Sequence, residues 1–174
     1  MLSALKQKKN RDLACTVGGM LGLLAGRKVI GLGLFAKGFA GLEAEWRKEH
    51  DFDGTWAERW RRAEEFYEST HLHPTNRALH TAGIPLVVGG ALGMLAFPPY
   101  RPLWAASAGT FTFGWVLNFI GHGIYEKNAP AFDDDPLSFL AGPMWDLRRL
   151  QEKLGVRAPA IVVKGPGEPC ERAA

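Results

Sequence analysis

Cysteine is nearly absent from this chain. Its 174 residues include two, Cys15 and Cys170, near opposite ends and without metal-ligand spacing. That excludes a cross-linked, secreted framework. A strong charge of either sign is also missing: Lys and Arg outnumber Asp and Glu by only 21 to 18. The pI near 9.0 comes with no basic stripe, so nucleic acid is excluded as a partner. No stretch alternates as a strand does, and there is neither an internal repeat nor a low-complexity segment. With 47% hydrophobic and 22% charged residues, the chain is not disordered or collagen-like.

The most informative scarcity is local. Positions 69–120 carry only two charged residues, Arg77 and Arg101, whereas 43–68 hold nine acids and five bases. Two apolar runs, Ala78–Phe97 and Pro102–Gly121, flank the turn-like Pro98-Pro99-Tyr100-Arg101. Twenty residues at ~1.5 Å each reach ~30 Å, the thickness of a bilayer core. A buried hairpin of a soluble bundle is the other reading. Uninterrupted apolar length favours membrane spans, so the expected fold class is all-α, a multi-spanning helical membrane bundle.

Residues 1–55 read as a Gly-rich helical hairpin and a charged connector, with eight glycines in positions 13–42. A signal peptide also fits the basic start, but no small-x-small cleavage site precedes Arg27. Small residues in such a hairpin allow close helix packing, whether it spans the membrane or lies at its interface. Residues 56–155 form the second unit. Thr55 and Glu58 match a capping box, and Trp56, Trp60, Ala63 and Tyr67 repeat as an amphipathic stripe. That stripe suits an interfacial helix or packing on the rest of the domain. Asp135 and Pro136 predict the start of a last helix with Met144, Leu147, Leu150 and Leu154 on its apolar face and Gly155 as its stop. Residues 156–174, with three prolines and two glycines, read as a mobile tail.

Of five histidines, His50 sits in the charged middle as a solvated side chain. His71 and His73 precede the first long helix, which Thr75 or Asn76 can cap. His80 shares a face with Asn76, and Asn118, His122 and Glu126 share another. His80 lies ~27 Å before the 98–101 turn and His122 ~31 Å after it. In an antiparallel hairpin these imidazoles meet at one level, opposite the turn, with His71 and His73 at the same end. A straight helix separates Asn118 from Glu126 by ~12 Å, which makes Glu126 the expected partner of His122. Imidazoles with a carboxylate and open positions suit a non-heme Fe(II) site, although a satisfied polar cluster has the same composition. Pro85 predicts a kink just after His80, with Gly83 admitting a neighbouring helix.

Two runs carry a resemblance to a known family. Tyr67-Glu-Ser-Thr-His71, followed by Asn76-Arg-Ala-Leu-His80-Thr-Ala-Gly83-Ile-Pro85, is similar to a YxxxH…NxxxHxxGxP signature. Gly121-His122…Glu126…Pro130-Ala131 resembles a second signature. Asp134-Asp135-Pro136 and Gly142-Pro143-Met144-Trp145 look like the C-terminal block. The family is that of the fungal 2-hydroxy fatty acid dioxygenase of phytosphingosine breakdown, and the likeness covers roughly residues 60–150. It implies a helical membrane protein with Fe(II) held by His71, His80 and His122. It further implies that O2 and a 2-hydroxy fatty acid are the substrates, the acid leaving one carbon shorter with release of CO2. On that footing Glu126 is the catalytic support, and Arg77, Asn76 and Asn118 are substrate-binding residues. Arg77 also fits as an interfacial anchor. Asn118 stands where the pattern has Gln, and His73 is additional to it. The readings from other classes are a non-catalytic membrane protein with a structural His cluster and a di-iron His-box hydroxylase, whose HxxHH-type motifs the chain lacks.

The distribution of Lys and Arg sets an orientation. Lys6, Lys8, Lys9 and Arg11, Arg77, and Arg148 and Arg149 fall on one side of the spans, and Arg101 marks the opposite turn. The positive-inside rule then places both termini and the histidines on the cytoplasmic side of a bacterial inner membrane or the endoplasmic reticulum. A Tyr100→Cys variant is expected to react with impermeant thiol reagents only from the far side; labelling from the cytoplasm overturns this orientation.

Overall fold

The computed structural model describes residues 2–128 and 134–155. Pro130, Ala131 and the expected tail 156–174 lie outside the described residues. Among the described residues six α-helices follow one another: α1 (Leu2–Leu24), α2 (Lys28–Glu49), α3 (Trp56–Thr70), α4 (Pro74–Ala96), α5 (Pro102–Ile120) and α6 (Ser138–Lys153). A π-helical turn, Gly121–Glu126, prolongs α5. No strand occurs among the described residues.

The two long apolar helices form the central antiparallel hairpin. Their backbones nearly touch: a Cβ on Gly90 would lie 2.5 Å from the Phe111 nitrogen, and one on Gly114 2.6 Å from the Gly83 carbonyl. Ser107, Thr110 and Thr112 return their hydroxyls to carbonyls one turn earlier, so they need no partner outside the helix. Both helices are long and apolar enough to cross a membrane, and only 28% and 22% of their apolar windows are buried within the protein. A core helix of a soluble bundle would be mostly covered. α4 runs as one helix through Pro85.

The Gly-rich hairpin is present and longer than its uncharged run. α1 and α2 cross at Gly19 and Gly31, where either added Cβ would enter the facing backbone. Helix α2 continues through the charged connector because its acids find partners: Lys8 Nζ donates to Glu45 at 2.6 Å, and Arg47 pairs with Glu43. His50 caps the end, with Nδ1 2.9 Å from the Trp46 carbonyl. The tip of this hairpin meets the tip of the other. Lys28 Nζ donates to the Leu95 and Phe97 carbonyls, both at 2.7 Å, at the C-terminus of α4, where a cation also complements the helix dipole. Tyr100 donates to Ala25. Arg27 and Lys28 therefore join Arg101 at the far end, which the linear charge count did not place there.

Helix α3 starts at the Thr55–Glu58 capping box. Its inward row is Arg59, Ala63 and Tyr67; Trp56 is 65% exposed, under the Arg47 guanidinium. Ala63 packs on Leu137 and Ala141. Asp135 caps the entry to α6 as expected, accepting from the Leu137 amide at 3.0 Å. The buried face of α6, however, is Ser138, Ala141 and Trp145, while Met144, Leu147 and Leu154 are exposed. The reason is steric: Gly142 lets α6 sit directly on the Tyr67 ring, where a Cβ would be 2.5 Å away. Gly155, at φ +69°, ends the helix.

Arg59 ties these parts together. It is fully buried and makes two-pronged contacts with Glu43 of α2 and Asp135 before α6, at 2.6–3.2 Å. Its guanidinium lies 3.4 Å over the Trp46 ring. Replacing Arg59 with Met leaves the buried Asp135 carboxylate without its cation and Glu43 with Arg47 alone. A loss of about 3–5 kcal/mol is expected, read as a lowered unfolding midpoint in detergent, whereas Arg149→Met, at an exposed pair, is expected to change it little.

Candidate metal centre

Three imidazoles meet at the end of the bundle opposite the hairpin tips. His71 is the C-cap of α3, His80 is the seventh residue of α4, and His122 lies in the π-helical turn. Their ring centroids are 4.6–4.8 Å apart, and one ring nitrogen from each lies within 4.8 Å of the others. All three are at most 4% exposed. The expected convergence is therefore realised.

Their orientation follows from hydrogen bonding. His71 Nδ1 is 2.7 Å from the Tyr67 carbonyl and His80 Nδ1 3.0 Å from the Asn76 carbonyl. His122 Nδ1 is 2.8 Å from Asn128 Oδ1, whose amide is oriented by donating from Nδ2 to the Thr70 carbonyl. A carbonyl oxygen can only accept, so each Nδ1 carries the hydrogen, and in the neutral ring Nε2 is the nitrogen left to act as a ligand atom. Burial, with the neighbouring His80 second, pushes the His71 pKa down to about 3, which keeps that imidazole neutral. His71 Nε2 is buried and has no hydrogen-bond partner. Neutral imidazoles fixed through Nδ1 with Nε2 pointing together are the donor set of a metal centre.

The π-helical turn separates Glu126 from His122. Its wider turn carries Glu126 away from His122 and toward the α3–α4 connection. Glu126 accepts from the Leu72 and His73 amides, both at 2.9 Å, and from Asn76 Nδ2 at 3.0 Å. The partner of His122 is thus Asn128, returned by Lys127 in the left-handed region at φ +58°. Neither Thr75 nor Asn76 caps α4. His73 does, accepting from the Thr75 amide through Nδ1 because Pro74 takes the first helical position. His73 stands outside the triad, against Tyr125. Arg77 donates to the His71 carbonyl and packs over Trp145.

A cavity of about 560 Å³ begins at the triad. Asn118 lines it beside His71, His80 and His122, and the rest is almost wholly apolar. The lining residues on α4 run from His80 to Leu95, about 22 Å along the helix, the span of a long-chain acyl group. Asn118 Oδ1 is buried without a partner. Neither Asn76 nor Arg77 lines the cavity. Tyr67 does; its ring stacks on His71 at 3.8 Å, and its hydroxyl donates to Asp146 at 3.0 Å. Burial and the Asp146 charge raise the phenol pKa. The Asp146 and Asn128 partnerships escaped sequence reasoning, since neither residue shares a helical face with a histidine.

The 2-hydroxy-palmitic acid dioxygenase Mpo1-like family model matches residues 57–154, more than half of the chain. The chain belongs to this family. A stretch of 48 residues is 40% identical to the 2-hydroxy-palmitic acid dioxygenase MPO1 of Saccharomyces cerevisiae, covering 27% of this chain and 28% of that protein. No solved structure matches the chain. In Mpo1-like terms the motif residues have separate duties. Tyr67 and Asn76 orient His71 and His80 through their carbonyls, Gly83 admits Asn118, and Gly142 admits Tyr67. Asn128→Ala is expected to weaken metal binding by about 10–100-fold, and His73→Ala to leave it unchanged, as measured by metal titration of the purified protein.

Proposed function

We propose that this Mpo1-like protein is an Fe(II)-dependent dioxygenase embedded in a membrane, with its site on the cytoplasmic side. It converts a 2-hydroxy fatty acid to the acid one carbon shorter. The observation that carries this reading is the set of three buried imidazoles converging at the polar end of an acyl-length apolar cavity. The family supports the substrate class, and the unpaired lone pair of His71 supports the metal.

The overall reaction balances without an added reductant: R–CH(OH)–COOH and O2 give R–COOH, CO2 and H2O. The C1–C2 bond breaks, and the carbons of the substrate supply all four electrons that O2 takes up. Fe(II) held by His71, His80 and His122 supplies the redox and Lewis-acid chemistry at open coordination positions. The chain's own residues do the rest. Asn118 Oδ1 accepts the substrate hydroxyl and sets the C1–C2 bond beside the triad. Apolar walls hold the tail and exclude water. Arg77 and Glu126 act at one remove: Arg77 holds the His71 carbonyl, and Glu126 ties the start of α4 to the π-helical turn that bears His122.

Iron content and oxygen uptake driven by 2-hydroxypalmitate test the proposal. Ala at His71, His80 or His122 is expected to abolish both while the helix content persists, since each change removes a ligand but little packed volume. Glu126→Gln is expected to reduce activity about 10–100-fold. A wild-type protein without stoichiometric redox metal would leave the structural-cluster reading standing instead.

A further inference from the structure

The lining of the large cavity divides by exposure. Its polar members, His71, His80, His122, Asn118, Tyr67 and Ser138, are all buried. Every strongly exposed lining residue is apolar. Leu32 on α2 is 45% exposed, Val88 and Leu92 on α4 are 42% and 62%, and Leu140 and Met144 on α6 are 41% and 44%; Phe119 on α5 is the sixth. The first five come from three helices, so the opening lies between α2, α4 and α6. Val88 and Leu92 are about 12 and 18 Å beyond His80 along α4. The mouth is therefore within the apolar thickness of the bundle and far from its polar end.

We propose that this mouth is a lateral portal through which a single-chain acyl lipid enters from the bilayer, and that the hairpin α1–α2 completes its binding site. Three observations select that occupant. The cavity is amphipathic, with three histidines gathered at one end, every polar lining residue buried, and no Asp, Glu, Lys or Arg in its lining. The rim matches hydrocarbon, and its exposed Leu, Val and Met side chains would be costly to present to water. The wall opposite α4 is built by Met20, Leu23, Leu32 and Phe35, all outside residues 57–154 that the family model matches. The long-chain site thus needs a segment beyond the shared domain. The proposal rests on the preceding reading only for the amphipathic build of the substrate.

The test is photolabelling in phosphatidylcholine vesicles with a diazirine-bearing palmitate that has no 2-hydroxyl, followed by mass spectrometry of the labelled peptides. Label is expected on the α1–α2 hairpin as well as on α4, and unlabelled palmitate is expected to compete it away. Val88→Trp and Leu140→Trp fill the rim and are expected to reduce the label at least tenfold. Val116→Trp, on exposed α5 surface outside the cavity lining, is expected to leave it unchanged. Val88→Lys provides a second obstruction of different chemistry, and circular dichroism identifies any variant that has lost its helices. Equal labelling of rim and control variants, or label confined to α4–α5, overturns the portal. Rim-dependent labelling without oxidation of 2-hydroxypalmitate keeps the portal and refutes the dioxygenase. Full oxidation of 2-hydroxypalmitate by the folded rim variants does the reverse.

Discussion

A buried imidazole that has already given its Nδ1 hydrogen to a carbonyl retains one polar atom, and that atom must go unpaired or meet a ligand. The centre of this protein brings three such rings within 5 Å of one another, and at His71 the remaining Nε2 is buried without a hydrogen-bond partner. One unpaired buried acceptor costs about 1–3 kcal/mol, and lone pairs directed at one another add repulsion. Nothing in the cluster relieves this internally, because Tyr67, Asn76 and Asn128 have fixed the tautomers that exclude His-to-His hydrogen bonds. The hydrogen bonds that hold the rings therefore also leave a set of nitrogens that could hold a metal ion between them.

Delivering three rings to one point requires unusual backbone proximity. α4 and α5 approach until Gly83 meets Asn118, and Gly121 meets the Asn76 amide. The π-helical turn then adds a residue to the last turn of α5, and such turns often occur where a helix must present a functional side chain out of register. Here the added residue separates two duties that an α-helix would have stacked. His122 faces the cavity, while Glu126 reaches across to the amides of Leu72 and His73. Glu126 is thus a local cap for the connection between α3 and α4, and it holds the start of α4 against the turn that carries His122.

Much of this could be read from residue spacing, and the exceptions share a cause. Helical period and apolar length place α4 and α5, and level-counting from the 98–101 turn brings His80 and His122 together. Thr55 and Glu58 announce α3, and Gly155 ends α6. The errors arise wherever a contact is not helical in period. The i,i+4 spacing pairs Glu126 with His122, and a π turn invalidates that arithmetic. The apolar stripe of α6 was read as its packed face, but in a membrane-like bundle exposed apolar residues carry no penalty, and the packed face is set by small residues such as Ala141 and Gly142. Arg59, Glu43 and Asp135 are far apart in sequence, and no spacing links them. Long-range ion pairs leave no periodic trace.

The same ion pair explains how a cavity of this size persists. The α1–α2 hairpin is fastened at one end by Glu43 to Arg59 and at the other by Lys28 and Tyr100 to the α4–α5 tip. Between these fastenings it stands off from α4, and the space is not filled by side chains. An apolar void of about 560 Å³ loses dispersion contacts on every wall, and a core free to relax would close around it. Anchoring both ends through hydrogen bonds and charge prevents that relaxation without placing any polar group in the middle. The void then has two ways to recover its contacts: collapse, which the anchors resist, or occupation by a chain of hydrocarbon. The stability of the empty bundle and its appetite for an acyl chain are thus set by the same polar fastenings.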